Sequence, residues 1–150
     1  MASFLTSKCG PLKGSIKVPG DKSISHRSIM LGSIATGITK VSGFLEGEDS
    51  LATLNSFKEM GVEIERKGSN ITINGVGMHG LREPAKPLNL GNSGTSIRLM
   101  SGLLSAQSFD SVLCGDESLS KRTMARVIDP LRKMCADISG SESKPPLMIN

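Results

Sequence analysis

A block of this sequence occurs twice. Met60-Gly61-Val62-Glu63-Ile64 returns as Met134-Cys135-Ala136-Asp137-Ile138, and Ile29 and Leu31 return as Ile97 and Leu99. Val41-Ser42-Gly43 matches Leu113-Cys114-Gly115 more loosely, and Ile73-Asn74 matches Ile149-Asn150. The offset drifts from 68 to 76 positions along the chain, which a few inserted loop residues explain. A period of this size implies one supersecondary unit built twice, each copy burying its apolar face against the other.

Local patterning fills in the unit as helix, strand, helix, strand, strand. A helix is expected over residues 25–35, closed by Gly37, then a strand over 39–45. A second helix over 50–60 takes Asp49 or Ser50 as its cap, turns Leu51, Leu54 and Phe57 inward and ends at Gly61. Strands over 62–66 and 70–74 follow, joined by Lys67-Gly68-Ser69. In the second copy Met124, Val127, Ile128, Leu131, Met134 and Cys135 form one apolar stripe, with Pro130 inside it expected to kink or restart the helix. Residues 14–18, ahead of Pro19, read as one more short strand. The first copy continues past Asn74 into Gly75, whereas the second stops at Asn150, so a chain truncated inside a strand is expected.

Composition narrows the function classes. With no Trp, no Tyr and only 4 Phe, the core must be aliphatic and methionine-rich, and aromatic stacking on single-stranded nucleic acid is excluded as a binding mode. A net charge of +4, spread along the chain, suits small anions but lacks the dense basic run of a polynucleotide or membrane binder. Cys9, Cys114 and Cys135 have no metal-ligand spacing, and an odd number makes no disulfide framework. Residues 1–10 are too poor in apolar side chains for a signal peptide, and no run reaches membrane-spanning length. Reduced thiols and a cytoplasmic location are the expectation.

Two stretches carry recognisable chemistry. Residues 19–30 run from a Pro-Gly-Asp turn through Lys22, Ser23, Ser25 and Arg27 into an apolar segment in which Ile24 and residues 29–31 are expected to be buried. Ser23 or Ser25 can cap the helix, whose first-turn N–H groups lack intrahelical partners and suit an oxyanion. Lys22 adds a point charge and Arg27 a planar fork on nearly the same face. Residues 91–98 repeat the theme: Asn92, Ser93, Gly94, Thr95 and Arg98 precede an apolar helical run. With Arg122, these two helix starts can hold two anionic groups. The Lys22-Ser23 pair after Gly20 is not a nucleotide-binding Walker loop, because Asp21 separates the glycine from the lysine and no glycine stands at the required spacing upstream.

Pro19-Gly20-Asp21-Lys22-Ser23-Ile24-Ser25-His26-Arg27, Leu90-Gly91-Asn92-Ser93-Gly94-Thr95 and Asp116-Glu117-Ser118-Leu119-Ser120-Lys121-Arg122 resemble three ordered motifs of the 5-enolpyruvylshikimate-3-phosphate synthases (3-phosphoshikimate 1-carboxyvinyltransferases). The resemblance covers the chain from about residue 10 to its end and marks it as an amino-terminal part. It implies an α/β (α+β) fold of repeated βαβαββ units, the inside-out α/β barrel of enolpyruvyl transferases, incomplete here. In that family each of two domains has three such units around buried helices, and the active site lies between domains. Residues 1–18 would then be a strand segment belonging with the other domain, and residues 19–150 the first two units, about 19–88 and 89–150, of the substrate-binding domain.

The resemblance also implies roles. Lys22, Ser23 and Arg27 would bind shikimate 3-phosphate; Lys22, Asn92, Gly94 and Arg122 would bind phosphoenolpyruvate. The family joins the two substrates by addition and elimination without metal or organic cofactor, as a cytoplasmic monomer with no nucleic-acid or membrane partner. Glycine at position 94 goes with sensitivity to glyphosate. Thr123 and Leu99 depart from the pattern, standing where relatives have proline. The proton-transferring carboxylates lie in the family's later half, so no catalytic residue is expected here. Glu46, Glu48, Asp49, Asp116 and Glu117 read as caps or solvated loop acids, His26 as a packed or hydrogen-bonded neighbour, His79 as exposed, and Lys40, Lys58, Arg66 and Lys67 as solvated. Two other readings stand beside this one: transfer to a UDP-amino sugar such as UDP-N-acetylglucosamine, which shares fold and chemistry, and a noncatalytic anion-binding fragment.

Overall fold

The computed structural model describes residues 3–150. The first helix, α1 (Lys22–Ile34), starts at Asp21, whose carboxylate accepts the Ile24 N–H at 2.7 Å. The cap is therefore neither Ser23 nor Ser25, and the helix begins three residues earlier than periodicity suggests. Ser25 Oγ instead donates to the Asp21 carbonyl at 2.8 Å and accepts the Leu45 N–H at 2.9 Å, tying the helix start to the loop beyond the next strand. Ile29 and Met30 are buried as expected, whereas Ile24 and Leu31 are 68% and 63% exposed. Seven residues apart, they share a helix face that turns to solvent.

The rest of the first unit is β1 (Thr36–Val41), α2 (Glu48–Glu59), β2 (Glu63–Lys67) and β3 (Asn70–Val76). Gly47, not Asp49 or Ser50, occupies the cap of α2 and supplies no side-chain bond; Glu48 and Asp49 lie in the first turn, where their charge complements the helix dipole. β1 ends at Val41 rather than running on to Leu45, because Gly43 turns the chain at φ +73.

The second unit contains β4 (Leu88–Asn89), α3 (Gly94–Leu104), β5 (Ser111–Cys114), α4 (Glu117–Ser120), α5 (Ala125–Lys133), β6 (Ile138–Ser139) and β7 (Leu147–Ile149). Pro130 lies inside α5 without ending it, removing one intrahelical bond. The expected apolar stripe stops short: Ile128 is fully buried, but Met134 is 77% exposed and Cys135, at φ +68, has left the helix.

The sequence repeat is a repeat of topology. One sheet has the order β1-β3-β2 and the other β4-β5-β7-β6, so β5, β7 and β6 stand in the places of β1, β3 and β2. Register follows as well. Val41 pairs with Ile71 as Leu113 pairs with Leu147, and Ile64 pairs with Ile73 as Ile138 pairs with Ile149. What differs is β4, which adds to β5 in parallel. Residues 14–18 precede the first unit as β4 precedes β5, yet they form no strand, and Ile16 and Val18 are 88% and 70% exposed. A strand exists through its ladder, and no described residue pairs with this segment.

A single apolar cluster runs through both units, from Ile29, Phe57, Ile71 and Ile73 to Ile97, Met100, Leu113 and Ile149. Its packing brings the starts of α1, α2 and α3 near one another, and the chemistry-bearing residues gather there.

Candidate functional site

The turn before α1 lies hard against the loop after β1. A Cβ on Gly20 would stand 1.9 Å from the Gly43 carbonyl oxygen, a space only glycine fits. This close approach, with the Ser25–Leu45 bond, holds the first turn of α1 in place. Lys22 and Ser23 are exposed on that turn and Arg27 on the next. Arg27 Nη1 donates to the Ser23 carbonyl at 3.1 Å, and the Lys22 ammonium pairs with the Asp49 carboxylate in the first turn of α2. Asp49, expected as a cap or solvated acid, is thus the counterion of the key lysine. Glu46 and Arg66, also expected to be solvated, pair with each other. His79, Lys40, Lys58 and Lys67 are exposed as expected.

The second cluster surrounds the start of α3. Ser93 caps the helix, accepting the Ser96 N–H at 3.2 Å. Asn92 is a bridge: its Nδ2 donates to Asp116 Oδ2 at 2.8 Å, and its Oδ1 accepts from Arg122 Nη2 at 2.5 Å. Arg122 also donates to Ser118 Oγ at 3.3 Å. Asp116 caps α4, and the Leu119 N–H it accepts, followed by the Asn92 amide, holds its carboxyl below the ordinary value, with the Ser118 N–H and Arg122 contributing in the same sense. Arg98 Nη1 donates to the Gly94 carbonyl at 2.9 Å, while its Nε is buried without a partner. A Cβ on Gly94 would lie 2.8 Å from Arg98 Nη1 and 3.3 Å from Arg122 Nη1, so the glycine is what lets two guanidinium groups converge.

The structure therefore gathers Asn92, Gly94 and Arg122, adds Arg98 and Asp116 to them, and groups Lys22, Ser23 and Arg27 separately. Lys22 has its hydrogen bond with Asp49 and none with the second group. Open hollows of about 670 Å³ between α2 and β4 and about 590 Å³ beside the Pro19-Gly20 turn are lined by none of these eight residues. The start of α1 lies exposed on the surface, whereas at the start of α3 Ser93, Gly94 and Ser96 are buried and Asn92 and Thr95 half-buried.

Beneath them runs a buried polar link. His26 is fully buried; its Nδ1 lies 2.8 Å from Thr53 Oγ1 of α2 and 3.2 Å from Ser96 Oγ of α3. Thr53 Oγ1 and Ser96 Oγ are 2.6 Å apart, as are Ser96 Oγ and the cap Ser93 Oγ. His26 is the hydrogen-bonded neighbour that the sequence suggested; Thr53 and Ser96 carried no signal of it, since hydroxyls on helices are common and the partners are far apart in sequence.

Residues 19–27, 90–95 and 116–122 supply most of both clusters, with Asp49 and Arg98 added, and a family model for EPSP synthase (3-phosphoshikimate 1-carboxyvinyltransferase) matches residues 6–150. The chain belongs to the EPSP synthase family. Among EPSP synthases, the 3-phosphoshikimate 1-carboxyvinyltransferase of Ruthia magnifica subsp. Calyptogena magnifica is 64% identical over 149 residues, which is 99% of this chain and 34% of that protein. The enzyme of the same name from Hydrogenovibrio crunogenus is 62% identical over 149 residues, 98% of this chain and 34% of that one. A solved EPSP synthase structure from Acinetobacter baumannii aligns with a TM-score of 0.88 at 61% identity, covering 91% of this chain and 32% of that one. The chain spans about a third of the length of the curated relatives it matches. Its α+β architecture of repeated units is that of EPSP synthases.

Proposed function

We propose that this chain supplies one substrate-binding face of an enzyme that transfers the enolpyruvyl group of phosphoenolpyruvate to the 5-hydroxyl of shikimate 3-phosphate, releasing phosphate. The observation that carries the reading is the pair of cation-bearing helix starts, on α1 and α3, in a chain of this family. Ser23 and Arg27, with Lys22, hold shikimate 3-phosphate. Lys22 also faces phosphoenolpyruvate, whose charge Arg122 balances while Asn92 fixes the guanidinium and Gly94 leaves room for the ligand. In this reading Lys22 exchanges Asp49 for the substrate anion. Each of these groups stabilises charge on phosphate or carboxylate as the hydroxyl adds and phosphate leaves; the groups that move protons belong to the remainder of the enzyme.

In the same proposal residues 1–18 belong with a second domain, and residues 19–88 and 89–150 are two units of the first. The intact protein acts as a cytoplasmic monomer; no helix among the described residues is long and apolar enough to cross a membrane. The shikimate branch is favoured over UDP-amino sugars by the names the relatives carry. Glycine at position 94 makes the intact enzyme a glyphosate-sensitive type.

The test is a calorimetric or NMR titration of the purified chain with shikimate 3-phosphate, followed by an assay with phosphoenolpyruvate added. Weak saturable binding is expected, lowered roughly tenfold or more in Arg27→Ala through loss of a charge-assisted bond, with no turnover. Turnover by the 150-residue chain would overturn the claim that it supplies only one face of the enzyme, and binding indifferent to Arg27 and Lys22 would overturn the assignment of the α1 site.

A further inference from the structure

His26 of α1, Thr53 of α2 and Ser96 of α3 contact one another pairwise, so their side chains join all three helices, and we propose that His26 is a positioning residue: through Thr53 and Ser96 it sets the placement of the α3 anion site relative to the α1 anion site. The inference rests on the reading above that both helix starts hold anions.

The hydrogen bonds close as a directed chain. Thr53 Oγ1 donates to the Asp49 carbonyl at 3.2 Å, so its lone pairs are left to accept. Ser96 then donates to Thr53 and Ser93 donates to Ser96, each hydroxyl using its one proton, while the Ser96 N–H satisfies Ser93 Oγ. His26 Nδ1–H supplies the remaining donor to Thr53 at 2.8 Å, with Ser96 Oγ at 3.2 Å beside it. This tautomer leaves Nε2, which has no partner, as a bare lone pair; the other would bury an unpaired N–H, the costlier arrangement.

Every member sits beside a binding residue. His26 is one turn from Lys22 and adjacent to Arg27. Thr53 is one turn from Asp49, the Lys22 counterion, and Ser93 lies between Asn92 and Gly94. A packing role and a positioning role predict opposite variants. His26→Phe keeps the ring volume and loses the donor; His26→Asn loses volume and keeps an amide N–H near the place of Nδ1.

The experiment is amide hydrogen exchange by NMR on the whole 150-residue chain without ligand. Protection of the Ser96 and Ile97 amides at the start of α3 should fall roughly five- to tenfold in His26→Phe and return to within about twofold in His26→Asn, the sheet amides of Ile73 and Leu113 staying unchanged in both. Protection kept in His26→Phe and lost in His26→Asn would overturn the proposal in favour of packing, as would uniform loss in both. A parallel titration with inorganic phosphate reads the anion sites separately. If the Ser23 and Ile24 amides do not respond while the exchange pattern holds, the anion reading fails and the link stands. If they respond and the exchange pattern fails, the link falls alone.

Discussion

Gly20 has no room for a methyl group, and what it would strike is backbone. A Cβ 1.9 Å from the Gly43 carbonyl can be relieved only by pulling the Pro19-Gly20 turn off the loop. Gly20→Ala should therefore destabilise the chain by about 1–3 kcal/mol, read as a lower urea midpoint, and weaken phosphate binding at α1. Gly94 presents the contrast. Its Cβ would meet the ends of two flexible arginines, and alanine is the better helix former, so Gly94→Ala should leave stability unchanged or raise it by up to ~1 kcal/mol while anion affinity at α3 falls. His26 adds a pH dependence. Burial lowers its pKa from the ordinary value; the Asp49 carboxylate opposes this, and the Lys22 and Arg27 charges reinforce it. An unfolded histidine takes up a proton below about pH 6.5 while the folded one stays neutral, so stability should fall as pH drops from there toward the folded value and then level off. Urea midpoints between pH 7 and 5 should show the slope in the parent and a flatter line in His26→Asn. Asp116 and Glu142, both lowered, act only at more acid pH, where their stabilising charge is lost.

At the scale of elements, local pattern sufficed where burial repeats with the helix or strand period, and failed where a distant partner decides. The two-residue Gly68-Ser69 turn between β2 and β3 and the inward Leu54 and Phe57 of α2 follow from their own neighbourhoods. The α1 cap went to Asp21 because a carboxylate at that place reaches the Ile24 N–H, a competition between adjacent capping residues that composition does not rank. Residues 14–18 have strand-like alternation and no ladder. Similarly, the Lys22–Asp49 and His26–Thr53 contacts span 27 positions, and Ser96–His26 spans 70, so nothing local announces them. Motif spacing nominates the six residues, and residue type and spacing had already set Arg98 beside the second stretch; the pairing of Asp49 with Lys22 and of Asp116 with Asn92 comes only through the fold. α5 offers a direct check. Ile128→Ala should cost about 2–4 kcal/mol, whereas Met134→Ala, at a side chain 77% exposed, should change the urea midpoint little.

For the molecule as a whole, one apolar cluster serves both units, so neither has a core to keep if the other is lost. Urea should unfold the chain in one transition, with Ile73 in the first sheet and Leu113 in the second losing amide protection together; separate midpoints would mean the units are independent. The same duplicated plan sets how the protein behaves in a tube. In the second unit the outer edge of β5 is covered by β4, while the matching edge of β1, with Ile38 68% exposed, carries no strand among the described residues. An uncovered edge is a template for another molecule, and Lys40, charged and exposed upon it, keeps like edges apart. Salt screens that repulsion, so the concentrated chain should store best at low ionic strength and cloud first in high salt.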